Sequence, residues 1–180
     1  MITKTISNVR ERQSHLQACY RVNAEKALIT DQARTSGGVD TDPFHGTVHA
    51  GKPDTSVPLH FGIHAAVGGY HDAPNPGDML CAALAACMDS TLRIIADRMG
   101  IVIVSLEVAV EAEIDVRGTL VVDRNVPVGF RQMRSRIDIQ AAEDSDPGLL
   151  QKLVAAAEYS CVNLQTLRSG VAVETSVNIA

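Results

Sequence analysis

Residues 75–100, NPGDMLCAALAACMDSTLRIIADRMG, predict one long helix around which the rest of the chain is organised. Asn75 is a preferred N-cap residue, and Pro76 takes the first helical position, where no backbone N–H is needed. Gly100 supplies the left-handed residue that commonly ends a helix. One face carries residues at three- and four-residue steps, namely Leu80, Leu84, Cys87, Thr91, Ile94 and Ile95. We therefore expect Cys87 to lie on the buried face of a central helix.

Small side chains flank Cys87 along this helix. The helix is thin near its middle because of four alanines, Ala82, Ala83, Ala85 and Ala86. Another backbone, or a symmetry mate, can therefore approach Cys87 closely. Cys81 lies six residues earlier, about 600° around the helix axis, and points away from Cys87. These two cysteines cannot form a disulfide within one helix, so any partner thiol for Cys87 comes from elsewhere.

The composition is that of one soluble domain in a reducing compartment. Of the 180 residues, 46% are hydrophobic and 21% are charged, as in ordinary globular proteins. A net charge of -5, an aromatic content of 3% and the absence of Trp argue against a nucleic-acid surface. A polar N-terminus and the lack of an apolar run of ~18 residues argue against a secretory signal and a membrane span. We expect a cytoplasmic protein whose four cysteines are buried or redox-active thiols.

Two long alternating patterns follow the central helix and predict strands. Between residues 102 and 116, aliphatic side chains alternate with mostly acidic or small ones. A second alternation falls within residues 128–140, where Arg134 and Arg136 lie on the polar face. Opposite charges on neighbouring strands favour one another, so we expect these arginines to pair with acids such as Glu107 across the sheet.

Shorter elements complete the predicted order. Residues 7–26 predict an N-terminal helix, and we treat residues 1–26 as a helical extension to a domain of residues 27–180. Four further strands are predicted at residues 27–34, 46–50, 59–66 and 171–179. This order of elements predicts an α+β fold in which an antiparallel sheet packs on the long central helix.

A second cysteine lies on the apolar side of another predicted helix. Ser145 or Asp146 caps this helix, Pro147 is its first residue, and Cys161 extends its apolar stripe. If the two helices pack together, the thiols of Cys87 and Cys161 meet. Such a pair supports peroxide chemistry, because one thiolate becomes a sulfenic acid that the second thiol converts to a disulfide.

The attacking thiolate needs a cation or hydrogen-bond donors to stabilise its charge. Arg34, at the end of the first predicted strand, is our candidate for this cation. The alternative is that Arg34 is an ordinary solvated arginine.

Five of the six histidines fall within residues 45–71. Neutral imidazoles are good metal ligands, so this cluster could bind a metal ion. No HExxH motif or Cys/His finger pattern is present, and loop histidines are more often solvated, so we expect no metal site.

Two segments resemble the OsmC/Ohr family of osmotically inducible protein C and organic hydroperoxide resistance proteins. Residues 74–92, PNPGDMLCAALAACMDSTL, are similar to the family's central helix, where an Asn-Pro start leads into an Ala-rich helix with the peroxidatic cysteine. Residues 157–167, AEYSCVNLQTL, resemble its second-cysteine segment. The order of elements agrees as well, so the resemblance extends over roughly residues 27–179.

The resemblance implies a thiol peroxidase that acts on organic hydroperoxides, needs no cofactor, and is regenerated by a lipoyl-type dithiol. It also implies an intertwined homodimer with two active sites at the subunit interface. By the same resemblance Cys87 is the peroxidatic cysteine, Cys161 the resolving cysteine, and Arg34 the residue that activates the thiolate.

Two positions depart from the family pattern. The hydroperoxide branch has a glutamate directly after Asn-Pro that holds the arginine, whereas this chain has Gly77, with Asp78 one place later as a candidate substitute. Proline commonly follows the second cysteine, and here Val162 follows Cys161.

A non-catalytic protein of the same fold is the alternative interpretation. It would bind a small apolar ligand at the dimer interface and retain its cysteines as packing. Gly77 favours this alternative, whereas the presence of both Cys87 and Cys161 in matching contexts favours the enzyme.

Overall fold

The computed structural model describes residues 8–37, 42–142 and 146–179 of the chain. Its helices and strands are α1 (Asn8–Val22), β1 (Ala33–Thr35), β2 (His45–Ala50), β3 (Val57–Gly62), α2 (Pro76–Met99), β4 (Ile103–Glu113), α3 (Val116–Thr119), β5 (Gln132–Ala141), α4 (Pro147–Ser160) and α5 (Val162–Ser169). Strands β1, β2 and β3 form one antiparallel sheet, and β4 and β5 form a second. The predicted α+β class with antiparallel strands is thereby confirmed.

The first sheet consists of three short strands with β2 in the middle. Gly46 of β2 lies opposite Phe61 of β3. A side chain at Gly46 would collide with this neighbour, because a Cβ atom there would lie 2.3 Å from the Phe61 ring. The close approach of the two strands therefore requires glycine at this position.

The first strand is shorter than predicted, because β1 covers residues 33–35 rather than 27–34. The Asn23 side chain accepts a hydrogen bond of 3.1 Å from the backbone N–H of Glu25. This bond caps a short 3-10 helix, Ala24–Ala27, which takes the chain out of the extended conformation. This helix takes only Ala27 from the predicted strand. The strand begins no earlier than Ala33 because Ala33 lies opposite Ala50, where its partner β2 ends.

Strands β4 and β5 run antiparallel, as hydrogen bonds near their two ends show. Arg131 donates its backbone N–H to the Glu113 carbonyl at 2.8 Å, and Ala142 donates to the Val102 carbonyl at 3.0 Å. Two ion pairs cross the strands, Arg134 with Glu113 and Arg136 with Glu107. The expected pairing of arginines with acids across the sheet is confirmed.

Helix α2 begins and ends where the sequence predicts, but its buried stripe differs. The buried residues are Leu84, Met88, Leu92 and Ala96, which follow one another at four-residue steps. Cys87 is half-buried beside this stripe, and Leu80 is 40% exposed. The prediction that Cys87 lies on the buried face is therefore only partly right, because the packed ridge follows the four-residue row of the helix.

Helix α2 is also long and apolar enough to cross a membrane, by length and composition alone. The core helix of a soluble protein has the same properties, and α2 buries four of its side chains within the protein. The expected absence of a membrane span stays a prediction.

Contacts divide the chain into two compact units. One unit contains Ala83–Ala109 and the chain from Arg136 onward, and the other contains Glu11–Ala82 and Val110–Ser135. Every buried apolar side chain among the described residues belongs to the first unit: Leu84, Met88, Leu92, Ala96, Ile101, Leu153, Ala157 and Cys161. The core around Cys161 is therefore built by this unit.

Helix α1 confirms the predicted N-terminal helix, apart from residues 1–7, which lie outside the described residues. The Arg10 guanidinium donates a hydrogen bond of 2.6 Å to the Arg98 carbonyl near the end of α2. A cation is favourable at this carboxyl end of a helix. The division into an extension of residues 1–26 and a domain of residues 27–180 stays a prediction.

The predicted closing strand at residues 171–179 is absent from the described chain, where residues 170–179 form no strand. The pattern alternates as a strand should, yet Val173 is 83% exposed and Ile179 is 91% exposed. An extended segment becomes a strand only when a neighbouring edge supplies hydrogen bonds. Among the described strands of this chain, none pairs with this segment.

His45 joins β2 to the segment that leads into α2. Its Nδ1 lies 2.6 Å from Asp42 Oδ2, and its Nε2 lies 2.9 Å from Asp72 Oδ1. Ionised carboxylates only accept hydrogen bonds, so both ring nitrogens carry hydrogen and the ring is a cation. The bonds to Asp42 and Asp72 raise the pKa of His45, and the bond to His45 lowers the pKa of each carboxyl.

We expect His45→Gln to lose stability chiefly at mildly acidic pH. Because folding raises the pKa of His45, its pairs stabilise fully below about pH 6.5 and lose this effect as pH rises through the folded pKa. Because folding lowers both carboxyl pKa values, the effect is also lost as pH falls below about 4. Urea denaturation of wild type and His45→Gln across this range measures the difference.

The matched control is His15→Gln, which removes an exposed histidine from α1. Its difference from wild type should stay small at every pH. A difference for His45→Gln that does not change with pH would contradict the ion pairs.

Candidate active site

The structure brings together the two cysteines that the sequence singled out. Cys87 lies near the middle of α2 and is half-buried, whereas Cys161 is fully buried. Cys87 is close enough to Cys161 to raise the pKa of the Cys161 thiol, and both thiols are free. The prediction that these two thiols react as a pair stays a prediction.

Cys161 is the single extended residue between two helices. It ends α4 and precedes α5, with φ of -74° and ψ of 108°. Its N–H donates to the Ala157 carbonyl at 2.9 Å, and its carbonyl accepts from the Gln165 N–H at 3.0 Å. Both neighbouring helices therefore hold the backbone of Cys161 in place.

The cap at the start of α4 is Asp146, whose side chain accepts a hydrogen bond of 2.9 Å from the Gly148 N–H. The alternative cap, Ser145, lies outside the described residues.

The surroundings of Cys161 keep its thiol protonated. Burial raises the pKa of the Cys161 thiol, because the thiolate loses its solvation. The backbone N–H of Leu164 acts in the opposite direction, and the hydrogen bond with Cys87 raises the pKa further. The net shift in the pKa of Cys161 is upward, so this thiol does not ionise readily on its own.

The peptide carbonyl of Cys87 accepts hydrogen bonds from two hydroxyl groups on the following turn. The Ser90 hydroxyl donates to it at 3.0 Å and the Thr91 hydroxyl at 2.7 Å. Serine and threonine commonly bond back to the preceding turn in this way. These hydroxyls thus hold the backbone at Cys87.

Asp78 has a local partner at the start of α2. Its Oδ2 accepts from the Asn75 backbone N–H at 2.9 Å and from the Asn75 side-chain amide at 2.6 Å. Asn75 Oδ1 in turn accepts from the N–H groups of Gly77 and Asp78. This reciprocal arrangement is a capping box, and it explains why the helix begins here.

Gly77 lies in a narrow space at the start of α2, between the Asn75 side chain and the Phe130 ring. A Cβ atom at Gly77 would lie 3.1 Å from the Phe130 ring and 2.9 Å from Asn75 Oδ1. A larger residue therefore requires Phe130 or the cap to move. The aromatic ring occupies the space beside this position.

Arg34 lies in β1 opposite His49 and is exposed. Within the part of the chain that the structure describes, no hydrogen bond or ion pair joins Arg34 to Asp78. Arg34 and Cys87 belong to different compact units. The roles predicted for Arg34 and Asp78 at the thiolate stay predictions.

The histidines of residues 45–71 make local contacts. Besides the ion pairs of His45, the His60 ring lies 3.0 Å from the Thr47 hydroxyl, and the rings of His64 and His71 lie 4.1 Å apart. Across the described ranges, no group of three His, Cys, Asp or Glu side chains is arranged to hold a metal ion.

One residue of this site escaped sequence reasoning. The Asn163 side-chain amide donates a hydrogen bond of 2.8 Å to the Ala83 carbonyl. Asn163 lies two positions after Cys161, and Ala83 lies four positions before Cys87. No pattern could have found it, because the acceptor is a backbone atom 80 residues away in the chain.

The fold and the site define an α+β protein whose long central helix carries a cysteine beside a second cysteine at a helix junction. The OsmC-like protein family matches residues 69–176, which is more than half of the chain. The chain therefore belongs to the OsmC-like family. No curated protein matches the sequence significantly.

Solved structures share the fold at low sequence identity. An OsmC-like protein of unknown function from Vibrio cholerae has a TM-score of 0.62 at 13% identity, over 77% of this chain and 94% of that chain. An OsmC-like protein from Mycoplasma pneumoniae has a TM-score of 0.61 at 15% identity, over 79% and 89%. An organic hydroperoxide resistance protein from Elizabethkingia anophelis has a TM-score of 0.60 at 20% identity, over 79% and 91%.

We expect Gly77→Glu to destabilise the protein by about 1–3 kcal/mol, the usual cost of overpacking. Phe130→Ala should reduce this cost, because it removes the ring that a side chain at position 77 would meet. A double-mutant cycle of the two substitutions, measured by urea denaturation, reports this coupling.

Gly129→Glu serves as the control, since a Cβ atom at Gly129 meets nothing within 4 Å. It should cost little in either background. Additive costs for Gly77→Glu and Phe130→Ala would show that the ring does not restrict position 77.

Proposed function

We propose that this protein is a thiol peroxidase that reduces organic hydroperoxides through Cys87 and Cys161. The nearness of the two cysteines carries the proposal. The Asn163 amide ties the junction at Cys161 to the turn of α2 that precedes Cys87, and Cys87 raises the pKa of the Cys161 thiol. Membership of a family matched over residues 69–176, and a shared fold with an organic hydroperoxide resistance protein, support the proposal.

The difference in burial between the thiols supports a division of roles. Cys87 is half-buried and can meet a substrate, so it is the peroxidatic cysteine. Its thiolate attacks a peroxide oxygen, the O–O bond breaks, an S–O bond forms, and the alkoxide takes a proton and leaves as an alcohol. Cys161 is fully buried beside it and does not compete for the substrate.

The resolving step follows from the same contact. The sulfur of Cys161 attacks the sulfenic sulfur of Cys87, so that an S–S bond forms and the S–O bond breaks. The departing hydroxide takes the proton of Cys161 and leaves as water. A dithiol of lipoyl type then reduces the disulfide to two thiols and becomes a disulfide itself.

Arg34 is the cation proposed to stabilise the Cys87 thiolate. Its exposure on β1 leaves the guanidinium accessible. Asp78 would orient Arg34 with the carboxylate oxygen that Asn75 does not use. The protein would act in the cytoplasm, where reducing conditions keep thiols free.

A homodimer is part of the proposal, and the C-terminal segment supports it. Its alternating apolar side chains are all exposed in the single chain: Val171, Val173, Val177 and Ile179. An apolar extended segment without a partner strand is suited to pairing with the sheet edge of another chain. A second copy would bury these side chains.

The alternative function is binding of a small apolar ligand without catalysis. The observation that favours it is the Phe130 ring beside Gly77, where the hydroperoxide branch of the family has a glutamate. The same experiment decides between the two functions.

One equivalent of an organic hydroperoxide should oxidise Cys87 and Cys161 in the reduced protein to a disulfide. We expect the loss of two thiols and a mass decrease of about two hydrogens. Cys161→Ser should instead accumulate a sulfenic acid on Cys87, and Cys87→Ser should not react. Thiol titration and intact mass spectrometry measure all three.

Cys81→Ser is the control, because burial, together with the Asp78 charge, raises the pKa of the Cys81 thiol. It should behave as wild type. Unchanged thiols in the wild-type protein would exclude the peroxidase and leave the ligand-binding function.

Sedimentation equilibrium should show a dimer for the wild type and a monomer for Val173→Lys/Val177→Lys. Lysine on the apolar face should prevent burial of the segment. Glu174→Lys/Asn178→Lys alters the alternate face of the same segment and should remain a dimer. A monomeric wild type at micromolar concentration would contradict the homodimer.

A further inference from the structure

We propose that Asn163 is a positioning residue, whose side-chain amide holds Cys161 against Cys87. This inference rests on the proposed two-cysteine function. It concerns the resolving step. The backbone N–H of Asn163 faces the Cys161 thiol and lowers its pKa, whereas the side-chain amide, which the proposal concerns, bonds to α2.

The hydrogen bond from Asn163 connects the two helical segments that carry the thiols. Its acceptor, the Ala83 carbonyl, lies one helical turn before Cys87. In an α-helix this carbonyl also accepts the N–H of Cys87, four residues later. The amide of Asn163 therefore binds the same peptide oxygen that the backbone of Cys87 binds.

The donor of this bond, Asn163, lies close to Cys161 in the chain. Asn163 lies in the first turn of α5, two residues after Cys161. Because α4 and α5 both hydrogen-bond to the backbone of Cys161, a tether on α5 fixes the position of its sulfur. Asn163 itself is half-buried, and its bond to the Ala83 carbonyl is exposed to solvent.

The neighbouring amide on α5 makes a comparable bond that does not reach α2. The Gln165 side chain donates to the Glu158 carbonyl of α4 at 2.7 Å. Gln165→Ala thus removes one amide-to-carbonyl bond from the same helix and leaves the tether between α5 and α2 intact. It is a matched control for Asn163→Ala.

The first test measures thiol proximity without peroxide. Equilibrium with glutathione gives the effective concentration of Cys161 at Cys87, in a protein where Cys19 and Cys81 are serine. Two glutathiones form for each protein disulfide, so atoms and electrons balance. Loss of one hydrogen bond should lower this effective concentration about three- to ten-fold in Asn163→Ala and Asn163→Leu. Asn163→Leu keeps a comparable volume without a donor.

The second test separates the two chemical steps. After rapid mixing with an organic hydroperoxide, sulfenic acid formation on Cys87 should proceed at the wild-type rate in both Asn163 variants. Disulfide formation should be slower by the same factor, and excess peroxide should convert more Cys87 to the sulfinic acid. Gln165→Ala should match wild type in both steps. General destabilisation of the protein would not slow disulfide formation while leaving the rate of sulfenic acid formation unchanged.

Each outcome bears on one claim. Equal effective concentrations in wild type, the Asn163 variants and Gln165→Ala would overturn the positioning role, whatever the protein does with peroxide. A wild type that ignores hydroperoxide, with effective concentrations still lowered in both Asn163 variants, would overturn the proposed function and leave the tether established.

Discussion

The contact between one half-buried and one fully buried thiol is the constraint on which the site depends. A thiol without solvent is difficult to ionise, and Cys161 sits at 0% exposure with its pKa raised. Cys87 on α2 is near enough to raise the pKa of Cys161 further. Cys161 is as fully buried as the core residues Leu92 and Leu153. The packing of the buried core therefore also fixes where the Cys161 thiol lies.

Signals local in the chain predicted most of the helices and strands. Asn75 and Asp146 cap helices through bonds to residues two or three positions away, so each boundary could be read from its own neighbourhood. The long alternations became β4 and β5 because a two-residue period suits only an extended chain. Two errors arose where the pairing strand was shorter than predicted or missing. The first strand is limited to Ala33–Thr35 because β2 ends at Ala50, and residues 170–179 lack a neighbouring edge in the described chain.

Helical periodicity predicted which faces carry the cysteines, but it could not predict contacts between residues distant in the chain. Helical spacing brought Cys87 and Cys161 to apolar faces, but it misplaced Cys87 relative to the buried ridge that includes Met88. Asn163 could not be found, because a bond from a side chain to a distant carbonyl leaves no trace in residue spacing. Gly77 was noticed as a departure, yet its physical reason, the ring of Phe130, lies far away in sequence.

The placement of Cys161 at a helix junction also couples redox state to folding. A bond between positions 87 and 161 closes a loop of about 75 residues, and the chain-entropy model assigns about 4.5 kcal/mol to such a closure. The crosslink would leave fewer conformations to the unfolded chain, while the backbone on both sides of Cys161 is already held by α4 and α5. Oxidation of these two thiols would therefore add a covalent crosslink to a junction that is already held by hydrogen bonds. The reduced protein would be the more fragile of the two forms.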